Sequence, residues 1–274
     1  MGFSGAGHAD AIDYQILGED LQAVVITLDP GEAVVAEAGA MMYMREGIEM
    51  ATTLDPNQQG GGLFAKLVQG GKRVLSGDSF FVTVFANHGA HRSDVAFSAA
   101  TPGRVIPVDL AQWGGTIIGQ KDAFLCAARG TNVTVALTRR LGAGFFGGEG
   151  FILQRIEGDG LAFLHASGTL VTMDLGPGEE VRVDTGCLVA FQPTVEYDIR
   201  VVPGIKTALF GGEGLFFVSL TGPGRVILQT MPFSRLADRI IAAAPRASGG
   251  RREEAGAFGA VGGIIGGLLD GDRG

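Results

Sequence analysis

The sequence predicts an all-β chain made of three tandem copies of one module, and three observations carry that expectation. First, the pentapeptide Phe146-Gly147-Gly148-Glu149-Gly150 recurs letter for letter as Phe210-Gly211-Gly212-Glu213-Gly214, 64 residues later. Each copy runs without a gap into an apolar, strand-like stretch, Phe151 to Ile156 after the first and Leu215 to Leu220 after the second. A worn third copy, Gly77-Asp78-Ser79 leading into Phe80 to Phe85, lies 71 residues upstream of Gly148. Second, the turn Asp29-Pro30-Gly31-Glu32 returns as Gly176-Pro177-Gly178-Glu179, and Gly39 returns as Gly186, both at an offset of 147. Third, 46 of the 274 residues are glycine, more than twice the roughly 7% of ordinary proteins. Without a collagen period, that excess means many tight turns between short strands. A short fixed period changes the expected architecture from one large globule to small units sharing a continuous core.

Taken in order, residues 1–12 read as a loose lead-in and the first module spans 12–104. Its first strand is expected over Leu21–Leu28, from the Val- and Ile-rich run. Pro30 pre-sets one turn torsion and Gly31 permits the positive φ beside it. The strand Ala33–Ala38 follows, then Gly39 and the apolar run Ala40 to Met44. Residues 55–72 read as a mobile loop, with a short helix over Leu63–Val68. Asn87 to Asp94 is a polar hairpin tip, and Val95-Ala96-Phe97 returns as a strand. The second module, 105–168, carries a degenerate turn at Asp109 to Gly115, and the third spans 169–233. Ser234 is placed to cap a helix over Arg235–Ala242 within a segment 234–246, since positions 236, 237, 240 and 241 form one apolar face. Pro245 ends it. The glycines of the tail, 247–274, disfavour a helix and point to disorder.

Composition narrows the function. The net charge is −8 and the isoelectric point about 5.0, and the cations are scattered instead of gathered into the patch that phosphates require. Nucleic acid is therefore not an expected partner. Cys126 and Cys187 lack metal-ligand spacing, and each aligns with an alanine of another module, Ala190 and Ala123, so both read as reduced, packed thiols. Met1 to Ala11 has no basic start followed by an apolar run. No stretch approaches the ~20 apolar residues of a spanning helix. The expectation is a soluble, cytoplasmic protein.

The candidate chemical motifs each meet a physical objection. Gly142-Ala143-Gly144-Phe145-Phe146-Gly147 spells a dinucleotide fingerprint, but a strand follows it where the pyrophosphate needs a helix N-terminus. The aligned segment Lys206 to Gly211 lacks the first two glycines, and no Lys-Ser/Thr pair follows to make a P-loop. His88, His91 and Asp94 are the compact set of metal-capable side chains, with His8 and His165 as further candidates. Nothing in the other modules echoes that set, and it reads as a solvated loop tip. Glu32, Glu149, Glu179 and Glu213 sit beside glycines in repeated turns. A catalytic carboxylate pair needs two different environments, so their repetition argues for a structural or interface role. Ser76-Gly77 has no neighbouring His to act as base. No catalytic residue, cofactor or metal site is assigned.

Pro30-Gly31-Glu32, Gly103 to Leu110, Asp174 to Glu179 and the two Phe-Gly-Gly-Glu-Gly stretches together resemble the altered-inheritance-of-mitochondria (mitochondrial biogenesis) family and its bacterial relatives, over roughly residues 12–241. The resemblance implies a triplicated, shortened double-stranded β-helix similar to the tryptophan RNA-binding attenuator protein. It also implies a homotrimer whose nine modules close a ring, and a link to membrane organisation. With no Arg- and Ser-rich presequence, the chain reads as a bacterial-type member. The expected function is a non-enzymatic oligomeric scaffold or binding protein, with a weak membrane-surface or protein partner. Two alternatives stand beside it. A small-molecule or metal-dependent enzyme would use the β-helix barrel, and an RNA-binding ring would follow from the attenuator-like fold by analogy alone.

Overall fold

The computed structural model describes residues 8–37, 39–53, 82–139, 151–201 and 216–243. The Phe-Gly-Gly-Glu-Gly stretches, the expected loop and helix within 55–72, the worn copy at Gly77 to Phe81, Pro245 and the glycine-rich tail lie outside them. Chain contacts divide the molecule into two units, Met1–Asp238 and Arg239–Gly274. Of the second unit, only the residues to Ala243 are described.

Nearly all the regular structure of the described residues is strand. β1 (Asp13–Leu17) precedes a first group of six: β2 (Ala23–Leu28), β3 (Ala33–Glu37), β4 (Met41–Met44), β5 (Ile48–Thr53), β6 (Val82–Asn87) and β7 (Ser93–Ser98). The second group is β8 (Gly103–Asp109), β9 (Thr116–Gln120), β10 (Phe124–Ala128), β11 (Asn132–Arg139), β12 (Phe151–Glu157) and β13 (Leu161–Ser167). The third is β14 (Leu170–Leu175), β15 (Glu180–Asp184), β16 (Leu188–Phe191), β17 (Glu196–Val201), β18 (Phe216–Thr221) and β19 (Gly224–Gln229). The helix α1 (Phe233–Ala243) follows.

One antiparallel pairing scheme operates in all three groups. The sixth strand lies between the first and third, as β7 lies between β2 and β4, β13 between β8 and β10, and β19 between β14 and β16. The fifth lies between the second and fourth, as β6, β12 and β18 do. Each module is thus two three-stranded sheets. The third strand of each carries a β-bulge at the same place, between Met41 and Tyr43, Phe124 and Cys126, and Leu188 and Ala190. A bulge inserts one residue and bends the strand, so its threefold recurrence aligns Tyr43, Cys126 and Ala190 without reference to sequence identity.

Modules join edge to edge. β3 of the first pairs with β10 of the second, and β9 of the second with β16 of the third, giving two six-stranded sheets, β5-β6-β3-β10-β13-β8 and β11-β12-β9-β16-β19-β14. The end sheets are smaller, β1-β2-β7-β4 and β15-β18-β17.

The turns explain much of the glycine content. Gly31, Gly114 and Gly178 occupy the same place in successive modules, with φ of +92°, +78° and +74°, and a side chain there would meet nothing within 4 Å. What requires glycine is the left-handed backbone alone, not a lack of space. Glu32 and Glu179 close these turns: the Asp29 and Gly176 amides donate to their carboxylates, each at 2.8 Å. The middle turn, the expected degenerate copy, is a 3-10 helix over Leu110–Trp113, with Asp109 accepting from Ala111 N–H at 3.1 Å.

Two sequence expectations shift. The run over Leu21–Leu28 is strand only from Ala23, while β1, pairing residue for residue with β2, is an additional strand. α1 begins at Phe233, with the Leu236 amide donating to the Pro232 carbonyl at 3.3 Å. Ser234 therefore sits inside the first turn instead of capping it, because Pro232 already supplies the first acceptor. Among the described residues no helix is long and apolar enough to cross a membrane.

Among the described residues the core forms three clusters, each built from two neighbouring modules or more. The first joins Leu28, Phe85 and Phe97 to Leu125, Cys126 and Phe163 of the second module. The second joins Ile117, Phe124 and Leu164 to Val189, Ala190 and Ile227 of the third. The third holds Val183, Phe191 and Val218 with Ile118, Phe151 and Leu153 of the second module.

Candidate functional site: two open sheet edges

Several of the side chains that the sequence singled out are engaged in structure. Asp94 accepts from Thr27 Oγ1 at 2.8 Å and pairs with Arg45 Nε at 3.2 Å, so its carboxylate is committed to β2 and to the Arg45 guanidinium. His88 and His91 are exposed. His8 pairs through Nδ1 with Asp159, far along the chain, and its neighbour Ala9 donates its amide to the same carboxylate at 2.9 Å. These contacts hold the Asp159 carboxyl below its ordinary range, the Ala9 amide contributing most. His165 is buried on β13 opposite Val105, and loss of solvation lowers its pKa. Among the described residues, no group of three or more His, Cys, Asp or Glu is placed to hold a metal ion. Cys126 is buried and Cys187 half-buried, both are free, and burial raises both thiol pKa values. Glu149 and Glu213, the fingerprint glycines and Ser76 lie outside the described residues.

Among the buried polar residues that the sequence did not single out are Asn87 and Gln154. Asn87 organises the hairpin tip: its amide donates to the Leu28 and His91 carbonyls at 2.8 and 2.9 Å, and its Oδ1 accepts from Gly89 N–H at 2.9 Å. The signal was present, since Asn before a Gly-containing turn commonly bonds its own backbone two residues on. Gln154 sits fully buried on β12, and neither its amide nitrogen nor its oxygen has a hydrogen-bond partner among the described residues. A glutamine directly after the apolar run Phe151-Ile152-Leu153 and before Ile156 is the sequence cue to it.

The feature that sets the ends of the chain apart is its strand edges. Within the chain, the second strand of one module always meets the third strand of the next, β3 with β10 and β9 with β16. The remaining second strand, β15, pairs only with β18 among the described residues, and the remaining third strand, β4, only with β7. Their exposure matches. Met42, Tyr43 and Met44 are 52%, 38% and 41% exposed, whereas Leu125, Cys126 and Ala127 at the same places in β10 are at most 1% exposed. β15 alternates between exposed and half-buried residues apart from Val183, while its counterpart β3 is buried along four of five residues. Unpaired edges present a ready row of donors and acceptors to another chain, and a contiguous apolar patch marks an interaction surface.

Comparison with known proteins agrees with this architecture. An uncharacterised protein of Streptococcus pyogenes serotype M6 is 27% identical over 218 residues, 78% of this chain and 83% of the relative. The crystal structure of protein SPYM3_0169 from Streptococcus pyogenes superposes with a TM-score of 0.67 at 23% identity, covering 85% of this chain and all of the other. That likeness is one of fold. The family model described as mitochondrial biogenesis AIM24 matches residues 14–231, from β1 to the residue before Pro232, and the chain belongs to that family.

Proposed function

We propose that this protein is a non-enzymatic scaffold subunit that assembles head to tail, three chains closing a ring of nine modules. The observation that carries the reading is the pair of unmatched edges. β4 and β15 are the two strands whose counterparts are bonded on both sides, and they lie at opposite ends of the module series. A heterologous contact of this kind either closes into a ring or propagates as a fibre. Closure leaves no unmatched third or second strand. The engagement of Glu32, Glu179 and Asp94 in turns and ion pairs supports a structural role for the residues that chemistry might otherwise use. We extend the reading to a scaffold in membrane organisation, working from the cytoplasm, on the strength of the sequence resemblance; the family's own description names mitochondrial biogenesis.

The test is a mass in solution. Multi-angle light scattering across a wide concentration range is expected to give three times the 28.3 kDa chain mass. A mass equal to one chain at every concentration would refute assembly. A dimer would refute the nine-module ring and leave the three-module chain intact. Liposome flotation addresses the membrane part, where failure to float with any vesicle composition would remove it.

A further inference from the structure

We infer the residue register of the contact between chains: β4 of one copy lies antiparallel against β15 of the preceding one, with Tyr43 opposite Val183 and Met44 opposite Arg182. The inference rests on the head-to-tail reading above and adds a partner for each residue. Both internal seams have the same register once the modules are aligned by their bulges and by the pairing of second and fifth strands. In the first seam Cys126 faces Ala36 and Ala127 faces Val35. In the second Ala190 faces Gly119 and Phe191 faces Ile118. Cys126 and Ala190 both stand two places after the start of the bulge, as Tyr43 does. Ala36 and Gly119 pair with Thr83 and Gln154 of the fifth strands, the place that Val183 holds opposite Val218. Carrying the two observed seams forward by one module gives the pairs named.

The core clusters reach the same answer independently. The first cluster is closed by Leu125 and Cys126 of the following module, and the second by Val189 and Ala190 of the one after. Among the described residues the third, at the end of the series, has no following module to close it. What occupies the places of Leu125 and Val189 at the far end of the series is Met42, and in the places of Cys126 and Ala190 stands Tyr43. These are large apolar side chains that a single copy leaves in water. Seated on β15 of the preceding chain, they complete the third cluster beside Val183. The seam between chains therefore differs chemically from those within one. The Cys126–Ala36 and Ala190–Gly119 pairs of the internal seams give way to Tyr43 with Val183, and beside them stands Arg182, whose guanidinium already lies over the Phe217 ring at 5.9 Å and donates to Glu180 at 3.1 Å.

Disulfide trapping tests the register on the full chain, with Cys126→Ala and Cys187→Ala as background, alanine being the residue that the repeat itself uses at Ala190 and Ala123. Directly opposed residues of an antiparallel pair have Cα atoms about 4.5–5.5 Å apart, inside the roughly 4.4–6.8 Å that a disulfide spans. Tyr43→Cys with Val183→Cys in one chain is expected to give covalent dimers and trimers on oxidation. Met44→Cys with Arg182→Cys, both at exposed positions, provides the same reading should the change at Val183 impair folding. Tyr43→Cys with Val181→Cys, two places out of register, is expected to give none. Cross-linking only in that last pair would overturn the register. An oligomeric mass for the background protein, with no cross-link in either matched pair, would overturn the β4–β15 seam while sparing assembly. A monomeric mass for the background protein would bring down both.

Discussion

Cys126 and Ala36 stand opposite each other across the β3–β10 seam, both without solvent exposure. The pair belongs to two modules at once, so the first core cluster cannot form from one module alone. Cys126→Asp places an unpartnered charge there and is expected to cost about 3–5 kcal/mol. Cys126→Ala, which reproduces Ala190, is expected to cost about 1 kcal/mol or less, from the small apolar volume lost. Urea unfolding followed by circular dichroism measures both. Equal stability of the Asp variant and the parent would show that the seam is not sealed.

The turn carboxylates are expected to act as clips. Glu32→Ala and Glu179→Ala each remove one acceptor for a backbone amide, Asp29 N–H or Gly176 N–H, at a cost of about 0.5–1.5 kcal/mol. Restoring an oxygen with Gln is expected to recover part of it. A melting temperature unchanged in both alanine variants would contradict the clip.

Gln154→Leu is expected to stabilise. The glutamine amide is buried without a hydrogen bond among the described residues, and its counterpart in the third module, opposite Val183, is Val218. Replacing an unpaired polar group by an apolar one of similar size removes a desolvation penalty of roughly 1–3 kcal/mol. A loss of stability, measured by the urea midpoint, would mean that the amide has a partner.

His165 makes stability depend on pH. Burial holds its pKa below the ordinary 6.5, so between pH 6.5 and the folded value the unfolded chain binds more protons. By linkage, stability is complete above about pH 6.5 and declines as pH falls through that window. His165→Gln, the residue found at the matching place as Gln229, is expected to flatten the stability profile between about pH 6.5 and 5, above the range where carboxylates titrate. A parent protein whose melting point does not change over that window would refute the assignment.

Much of the architecture was legible in the chain because repetition and turn chemistry are local. The 147-residue offset between the turns at Gly31 and Gly178 required only matching letters, and the positive φ at both is a property of glycine itself. The middle turn was harder to read. Asp109 caps a 3-10 helix that no Pro-Gly pair announces. β1 was missed because Asp13–Leu17 is mostly exposed and becomes strand only by pairing with β2.

What the amino-acid order determined alone is the all-β class, the threefold recurrence and the place of the turns, since these follow from propensity and spacing within a few residues. What only the tertiary structure decided is which strands meet. The order first-sixth-third and second-fifth-fourth joins residues tens of positions apart, and the seams join different modules. Met41 to Met44 reads in the sequence as one more apolar strand, no different in kind from Phe124 to Ala128. Its exposure, and with it the candidate assembly site, arises because burial depends on a neighbour that, among the described residues, the chain supplies to β10 and β16 but not to β4.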